Sequence, residues 1–370
     1  MKNVKSTHVL FVILTIFLFA CQRSTDLSPE VIHENIEFNM KHVGCGDVWG
    51  FVKKQDSVFL YQITYDFIKF KSVDNNSNEV VYEFPAQYNN SSSSRIADVL
   101  PLSNEELVIS TIDDSLNVCI TSYNCIDNVI DTICRTGMRD KVYFSGAKNG
   151  DMENIYHQSS NSVYFSAIDF SVSEKEQQAL DMRCVYQLNL TSGNHFFIDL
   201  KYPENYLSRI KVSMTNDCFF DEYKSDLLCV FPMDDTVYQY NPADGSLNSF
   251  AFEAFEHNPI LRSDSTINTM EEAKQRYFET FQYYRVFYDD STKHYYRFYG
   301  DTAIARNPHQ KLVGFALYDD NRKFVNTYSV NETNLRNSLY NAIMTKRGLL
   351  YIEEINEENG FIELGYLRVR

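Results

Sequence analysis

The sequence predicts an all-β fold, a β-propeller of six or seven blades with one inserted helix. Short apolar runs alternate with polar turns between residues 31 and 370, and similar strand-rich units recur about every 50 residues. Aromatic residues, almost all of them Tyr and Phe, make up 15% of the chain and suit half-buried sheet surfaces. Gly and Pro number only 13 and 8, so the turns must depend on Asn, Asp and Ser.

The repeat is clearest in two similar segments, 185–193 (VYQLNLTSG) and 237–245 (VYQYNPADG), which start 52 residues apart. Asp47 and Asp98 each open a strand-rich unit and lie 51 residues apart. Units of this length with about four strands are typical of propeller blades. A β-sandwich, or two β domains with a chance internal similarity, is the alternative. We expect blades at 43–84, 96–134, 141–200, 207–252, 281–330 and 343–370.

The last of these units is too short for a complete blade. The N-terminal strand from Val31 to Met40 has the length and pattern to complete it. Such pairing would close the ring and leave no sheet edge free.

One segment, 269–283, has helical periodicity. Thr269 and Glu272 form a capping box, and the apolar residues that follow at helical spacing are Ala273, Tyr277, Phe278 and Phe281. This helix belongs to a predicted insertion at about 253–283, between the fourth and fifth blades and over one end of the ring. It either contributes to binding there or covers apolar surface.

The first 21 residues have the layout of a bacterial lipoprotein signal. Lys2 and Lys5 precede an apolar run from Val9 to Ala20, and Cys21 follows directly. The pattern predicts a signal peptide at 1–20, lipidation of Cys21, a tether at 21–30 and a propeller domain at 31–370. The run is too short to span a bilayer, so the lipid alone would reach the membrane. A secretory signal that ends in a chance cysteine is the alternative.

The chain is acidic, with 34 basic and 50 acidic residues. Residues 1–20 contain two lysines and no acid, so the chain from Cys21 onward has a formal net charge of −18. Nucleic acid and anionic lipid head groups require a basic surface, so neither is an expected partner.

Seven cysteines remain after Cys21, and none forms a CxxC pair. The odd number argues against a metal knuckle or a complete disulfide framework and favours buried thiols. One disulfide among Cys119, Cys125 and Cys134 is the alternative in an oxidising compartment.

The sequence contains no GxSxG, HExxH, Walker or dinucleotide-binding motif, so no cofactor is expected. Asp47 and Asp98 stand near the starts of two first strands, where side chains can face the centre of a propeller. Carboxylates there could bind Ca²⁺ or act as acid and base, which makes a propeller hydrolase or lactonase the alternative function. The simpler interpretation is that both aspartates cap turns or strands.

A predicted hairpin carries two Tyr-Tyr-Arg triplets. Tyr283 and Arg285 should share one face of the first strand, and Tyr295 and Arg297 one face of the second. Arginine beside aromatic rings can hold a carboxylate, phosphate or sugar, so these four residues are candidate ligand-binding residues together with Asp47 and Asp98. In so acidic a chain, pairing with carboxylates of other blades is the competing interpretation.

The chain resembles the uncharacterised six-bladed propeller lipoproteins of gut Bacteroidetes. The resemblance rests on the lipoprotein signal that ends at Cys21, the hairpin 283–289/294–299, the unit Leu312 to Val330 and the final segment 361–365. The resemblance implies the fold and no particular reaction. Since no acidic stretch follows Cys21, an outer-membrane lipoprotein facing the periplasm is favoured over one on the cell surface. The expected function is a binding or protein-interaction module whose partner is an envelope protein, a glycan or another small ligand.

Overall fold

The computed structural model describes residues 29–38, 47–64, 66–74, 79–85, 94–146, 152–171, 182–203, 218–255, 281–304, 307–329, 342–356 and 359–369. Their strands form six antiparallel sheets arranged as the blades of a β-propeller. The six-bladed prediction is therefore confirmed, and the sandwich alternative is wrong. Within these ranges, no helix is long and apolar enough to cross a membrane.

The first three blades follow one another along the chain. Blade 1 consists of β2–β5, at Val48–Lys54, Ser57–Ile63, Phe67–Ser72 and Val80–Glu83. Blade 2 consists of β6–β9, at Ser94–Pro101, Glu106–Asp113, Asn117–Asn124 and Val129–Gly137. Blade 3 consists of β10–β14, at Val142–Phe144, Asn154–His157, Ser162–Asp169, Val185–Asn189 and His195–Phe197. Both β10 and β11 pair with β12, so two short strands share the first position of blade 3.

The other three blades repeat the four-stranded pattern. Blade 4 consists of β15–β18, at Phe219–Tyr223, Asp226–Val230, Thr236–Tyr240 and Leu247–Ala251. Blade 5 consists of β19–β22, at Gln282–Asp289, His294–Ile304, Asn307–Asp319 and Phe324–Ser329. Blade 6 consists of β23–β25, at Ile343–Thr345, Gly348–Asn356 and Phe361–Val369, together with β1 at Pro29–Glu37.

The N-terminal strand closes the ring, as the sequence predicts. Strand β1 pairs antiparallel with β25 from Pro29↔Val369 to Glu37↔Phe361 and so becomes the outermost strand of blade 6. Just beyond β1, the Phe38 ring packs against Trp49 of blade 1 at a centroid distance of 5.0 Å. The chain ends of the ring are therefore fixed both by a strand pair and by a contact between blades.

The apolar core lies between neighbouring blades, because both faces of each sheet are covered. All eight residues of β12 are buried. Separate clusters of buried side chains join blades 1 and 2, 2 and 3, 3 and 4, and 6 and 1, and one larger cluster joins blades 4, 5 and 6. A strand covered on both faces has a nearly continuous apolar sequence, which explains runs such as 226–231 (DLLCVF).

The two similar segments found in the sequence are structural equivalents. Each contains the third strand of its blade, β13 in blade 3 and β17 in blade 4. Each then turns through a glycine with positive φ, 69° at Gly193 and 74° at Gly245. Glycine adopts this backbone conformation without steric cost, so the same turn recurs in both blades.

The predicted helix 269–283 is wrong at its C-terminal end, and its residues 269–280 lie outside the described ranges. Gln282 and Tyr283 belong to strand β19, where the backbone N–H of Tyr283 donates to the carbonyl of Pro232 at 2.8 Å. Blade formation therefore overrides the helical spacing there. Phe255 and Phe281 lie at the two ends of the insertion, and the centroids of their rings are 6.0 Å apart.

Candidate functional site

The first strand of each blade is here called the inner strand, and from blade 2 to blade 6 the inner strands of neighbouring blades contact each other. Such contacts join β6 to β11, β11 to β15, β15 to β19 and β19 to β23. These strands bound the space on the ring axis, here called the central channel. Polar side chains from this set of strands form the candidate site.

Arg285 makes hydrogen bonds to two segments outside its own blade. Its guanidinium holds Asp221 of blade 4 in a bidentate pair, with Nε to Oδ2 at 3.1 Å and Nη2 to Oδ1 at 2.6 Å. Its Nη1 atom donates to the carbonyl of Ala342, beside blade 6, at 3.3 Å. These contacts agree with the competing interpretation from the sequence, in which the arginine pairs with groups of other blades. Arg285 of blade 5 bonds blade 4 and the residue that precedes blade 6.

A β-bulge directs Arg285 toward this pair. The register between β19 and β20 shifts between Tyr283 and Val286, which places an extra residue in β19 and breaks the strict alternation of faces. Tyr283 contacts Arg297, whereas Arg285 bonds Asp221. The expectation that Tyr283 and Arg285 share a face therefore fails at the bulge.

Burial raises the pKa of Asp221 to about 6, and the charge of Arg285 opposes this rise. Because the folded-state pKa exceeds the ordinary value of 3.8, Asp221 binds its proton more tightly in the folded protein than in the unfolded chain. Protonation of Asp221 therefore favours folding increasingly as the pH falls from above 6 toward 4. We expect the free energy of unfolding of the wild type, minus that of Asp221→Asn, to increase by roughly 3 kcal/mol as the pH falls over this range. Urea unfolding at several pH values measures it.

Asp56→Asn provides the contrast for that experiment. Asp56 is exposed and pairs with Lys346, which holds the pKa of its carboxyl below the ordinary value. The stability that ionised Asp56 contributes is therefore lost as the pH falls, whereas protonation of Asp221 adds stability over the same change. A difference for Asp221→Asn that shrinks on acidification would contradict the raised pKa.

The two aspartates predicted from the repeat have different surroundings. Asp98 lies within β6 and accepts a 2.6 Å hydrogen bond from the amide of Asn154 in blade 3. Asp47 precedes β2 and accepts a 2.7 Å bond from the amide of Gln62 within its own blade. The two carboxylates are therefore not equivalent: the Asp98 bond joins two inner strands, and the Asp47 bond lies within one blade.

Two side chains of blade 1, Tyr61 and Lys53, interact electrostatically with other blades. The charges of Asp98 in blade 2 and Arg285 in blade 5 both act on the pKa of the Tyr61 phenol, which burial raises. Desolvation lowers the pKa of Lys53 although this side chain is exposed, and Glu222 of blade 4 opposes that change. Blades 1 and 4 stand opposite each other in a ring of six, so the second interaction crosses the axis.

Arg297, Tyr283 and Tyr295 lie in the core instead of the channel. Arg297 is 1% exposed, and its guanidinium lies 3.4 Å from the centroid of the Tyr283 ring. It donates to the carbonyl of Asp234 at 3.1 Å and also hydrogen-bonds the Tyr318 phenol. Tyr295 packs among aromatic rings, including Tyr288 at 4.6 Å. The structure thus brings Tyr283 and Arg297 together, apart from Arg285 and Asp98.

His157 is a further buried polar residue near the channel. Its Nδ1 atom lies 2.9 Å from the Ser160 hydroxyl in the 3-10 turn that follows β11. The ring also bonds the backbone of Ser225 in blade 4, and burial lowers its pKa. His157 therefore contacts its own turn through Ser160 and blade 4 through the backbone of Ser225, so it connects blades 3 and 4.

Cys21 and Cys45 lie outside the described residues. The six described cysteines are free thiols, and five of them are buried, including Cys125 and Cys134 from the predicted trio. Within the described ranges, no three His, Cys, Asp or Glu side chains are grouped so that they could hold a metal ion.

Sequence reasoning missed Tyr61, Asn154 and Asp221. Asp221 lies in an inner strand at Phe219–Tyr223, so the signal that identified Asp98, a carboxylate near the start of a blade, also applied to it. Gly50 pairs with Tyr61, and a glycine inside a strand indicates that another group approaches the backbone closely there. That glycine was the signal that could have identified Tyr61. Asn154 had no such signal, because the inner position of its blade is divided between two short strands.

Two solved structures resemble the whole chain. One is a member of the DUF4221 family from Bacteroides vulgatus ATCC 8482, with a TM-score of 0.60, 12% sequence identity, and coverage of 92% of this chain and 98% of that one. The other is a "putative exported protein" from Bacteroides fragilis NCTC 9343, with a TM-score of 0.54, 12% identity, and coverage of 92% and 95%. At this identity the likeness shows the fold alone.

A more distant likeness is to an oligogalacturonate lyase in complex with manganese, with a TM-score of 0.45, 11% identity, and coverage of 88% of this chain and 78% of that one. No curated protein matches the chain in sequence. The profile of the family described as "Domain of unknown function (DUF4221)" matches residues 107–326, which is more than half of the chain. This protein is therefore a β-propeller that belongs to the DUF4221 family.

Proposed function

We propose that this protein is a lipid-anchored, extracytoplasmic propeller that acts as a binding or protein-interaction module. The observation that carries the proposal is the rigid set of polar side chains on the inner strands. Arg285–Asp221 joins blades 4 and 5, and Asp98–Asn154 joins blades 2 and 3. Groups held in place before a ligand arrives lose little conformational entropy when it binds.

The same contacts favour binding over catalysis. A general base or nucleophile must be able to exchange protons with a substrate, and it usually stands beside a partner that activates it. Here Asp221 is held by a guanidinium in a bidentate pair, and Asp98 accepts the Asn154 amide. His157 is 1% exposed and bonds serine hydroxyls of its own turn. These are contacts that position side chains.

The location rests on the N-terminal sequence. Lipidation at Cys21 would place the ring beside a membrane, and the predicted tether 21–30 would run into β1, which begins at Pro29. The net charge of the full chain, −16, keeps anionic lipid surfaces away from the ring, so the lipid would be the membrane contact. We place the protein at the outer membrane, facing the periplasm.

The proposed contact surface is the end of the ring that carries the insertion. Phe255 and Phe281, which contact each other, bring both ends of the insertion to the start of the inner strand β19. Arg285 lies four residues farther along the chain. A partner seated on this end would meet Phe255, Phe281 and the mouth of the channel together.

Capture from membranes tests the proposal. We expect alkyne-palmitate fed to a Bacteroidetes host to label the tagged full-length chain and not the Cys21→Ala variant. After gentle solubilisation, the labelled chain should retain a partner near one-to-one, and Cys21→Ala should retain much less because it leaves the membrane surface. Equal labelling of both chains would refute the anchor. Empty captures from both chains would refute a stable protein partner.

A further inference from the structure

A glycine allows the Tyr61 phenol to extend over the inner strand of blade 1. Tyr61 in β3 stands directly opposite Gly50 in β2. A Cβ atom at position 50 would lie 2.4 Å from the Tyr61 hydroxyl oxygen and 2.6 Å from Cζ, closer than real Cβ contacts allow. Any other residue at position 50 would therefore displace the ring. The pair Gly50–Tyr61 carries a hydroxyl from the second strand to the edge of the central channel.

Two other tyrosines cross glycines in the same way but point outward. Tyr299 of β20 covers Gly314 of β21, and Tyr351 of β24 covers Gly365 of β25. In both pairs the glycine lies on the next strand away from the axis. The packing device is thus shared by three blades, whereas among these three tyrosines only Tyr61 extends toward the channel.

Asp98 and Arg285 lie on the inner strands of two other blades, where Asp98 accepts from Asn154 and Arg285 pairs with Asp221. The negative charge of Asp98 raises the pKa of the Tyr61 phenol, and the positive charge of Arg285 lowers it. Both side chains are half-buried, as is Tyr61 itself. A carboxylate that accepts, a guanidinium that donates and a phenol that does both therefore lie on or over the inner strands that bound the channel.

We propose that the central channel binds a neutral carbohydrate through Tyr61, Asp98 and Arg285. This inference rests on the proposed binding function and names its ligand class. A sugar hydroxyl donates and accepts at once, so adjacent hydroxyls can donate to Asp98 while they accept from Tyr61 and Arg285. Asp98, Asp221 and Arg285 together carry one net negative charge, which disfavours an anionic ligand.

A titration of the purified full chain with defined trisaccharides tests the proposal. The probes are maltotriose, cellotriose, mannotriose and xylotriose, and β-1,4-linked triglucuronate is the acidic counterpart of cellotriose. The readouts are calorimetry and the fluorescence of Trp49, the only tryptophan of the chain and the neighbour of Gly50. We expect at least one neutral probe to bind and Tyr61→Phe to raise its Kd at least about fivefold, as expected for one lost hydrogen bond.

Tyr351→Phe is the matched control, because it removes the hydroxyl of a tyrosine that crosses a glycine away from the axis. It should leave the Kd unchanged. Equal losses from the two variants, binding of triglucuronate alone, or no binding of any neutral probe at 10 mM, roughly the weak limit for small ligands, would each overturn the carbohydrate assignment. Capture of a stoichiometric partner in the membrane experiment would still support the proposed function in that case.

Discussion

Replacement of Arg297 by Ala is expected to destabilise the fold by about 3 to 5 kcal/mol, the range for truncating a large buried side chain. Replacement by Met should leave stability within about 1 kcal/mol of the wild type, or raise it. Arg297 is 1% exposed and lies against the rings of Tyr283 and Phe252. The two variants separate the shape of this side chain from its charge.

The reason is the poor compensation of the guanidinium. Among the described residues no carboxylate forms an ion pair with Arg297, and its Nε atom is buried without a hydrogen-bond partner. Removing a buried cation from water is costly, and the aromatic faces, the Tyr318 phenol and one carbonyl bond offset only part of that cost. Met fills similar space with an apolar chain, whereas Ala leaves a cavity.

Urea unfolding of the three proteins measures these changes, with Arg135→Ala as an exposed control in β9 that should change stability by less than about 0.5 kcal/mol. A Met variant as unstable as the Ala variant would show that polar contacts of the guanidinium, and not its volume, stabilise this part of the core.

Local signals made much of the fold predictable. The third strands β13 and β17 end in turns where Asn189 and Asn241 accept hydrogen bonds from backbone N–H groups two residues ahead. The chemistry of such a turn is complete within a few residues, so it is visible in the sequence and recurs with the blade. The repeat of about 50 residues, and with it a count of six or seven blades, follows from that recurrence.

The candidate site was less predictable because its contacts join distant segments. Arg285 and Asp221 are 64 residues apart and meet only because adjacent blades place their inner strands together. A bulge in β19 then decides which side chain faces which neighbour, and alternation cannot predict that. Tyr61 and Asp98 also come from different blades. The residue types could be identified from the sequence, but their grouping required the ring.

Replacement of Phe38 by Ala is the second large effect that we expect, a loss of about 3 to 5 kcal/mol. Phe38 is 3% exposed and follows β1, the strand that closes the ring. Its ring contacts Trp49, and the Lys69 ammonium lies 5.0 Å from its centroid. The emission of Trp49 should shift to the red in the variant, because water would replace the ring.

Val31→Ala is the control on the same strand. Val31 is 38% exposed and pairs with Leu367, so its truncation should cost less than about 0.5 kcal/mol and leave the Trp49 emission unchanged. If Phe38→Ala behaves like this control, the contact between β1 and blade 1 does not stabilise ring closure.

Ring closure makes this contact more important than one aromatic pair would suggest. In an open sheet the loss of an end contact is local, but β1 joins blade 6 to blade 1 and therefore connects the two ends of the chain. Without it, the backbone groups of β25 would form a free edge able to pair with another molecule. We therefore expect Phe38→Ala to increase self-association at temperatures below its unfolding midpoint, which light scattering during heating would detect, whereas Arg297→Ala should unfold without that preceding step.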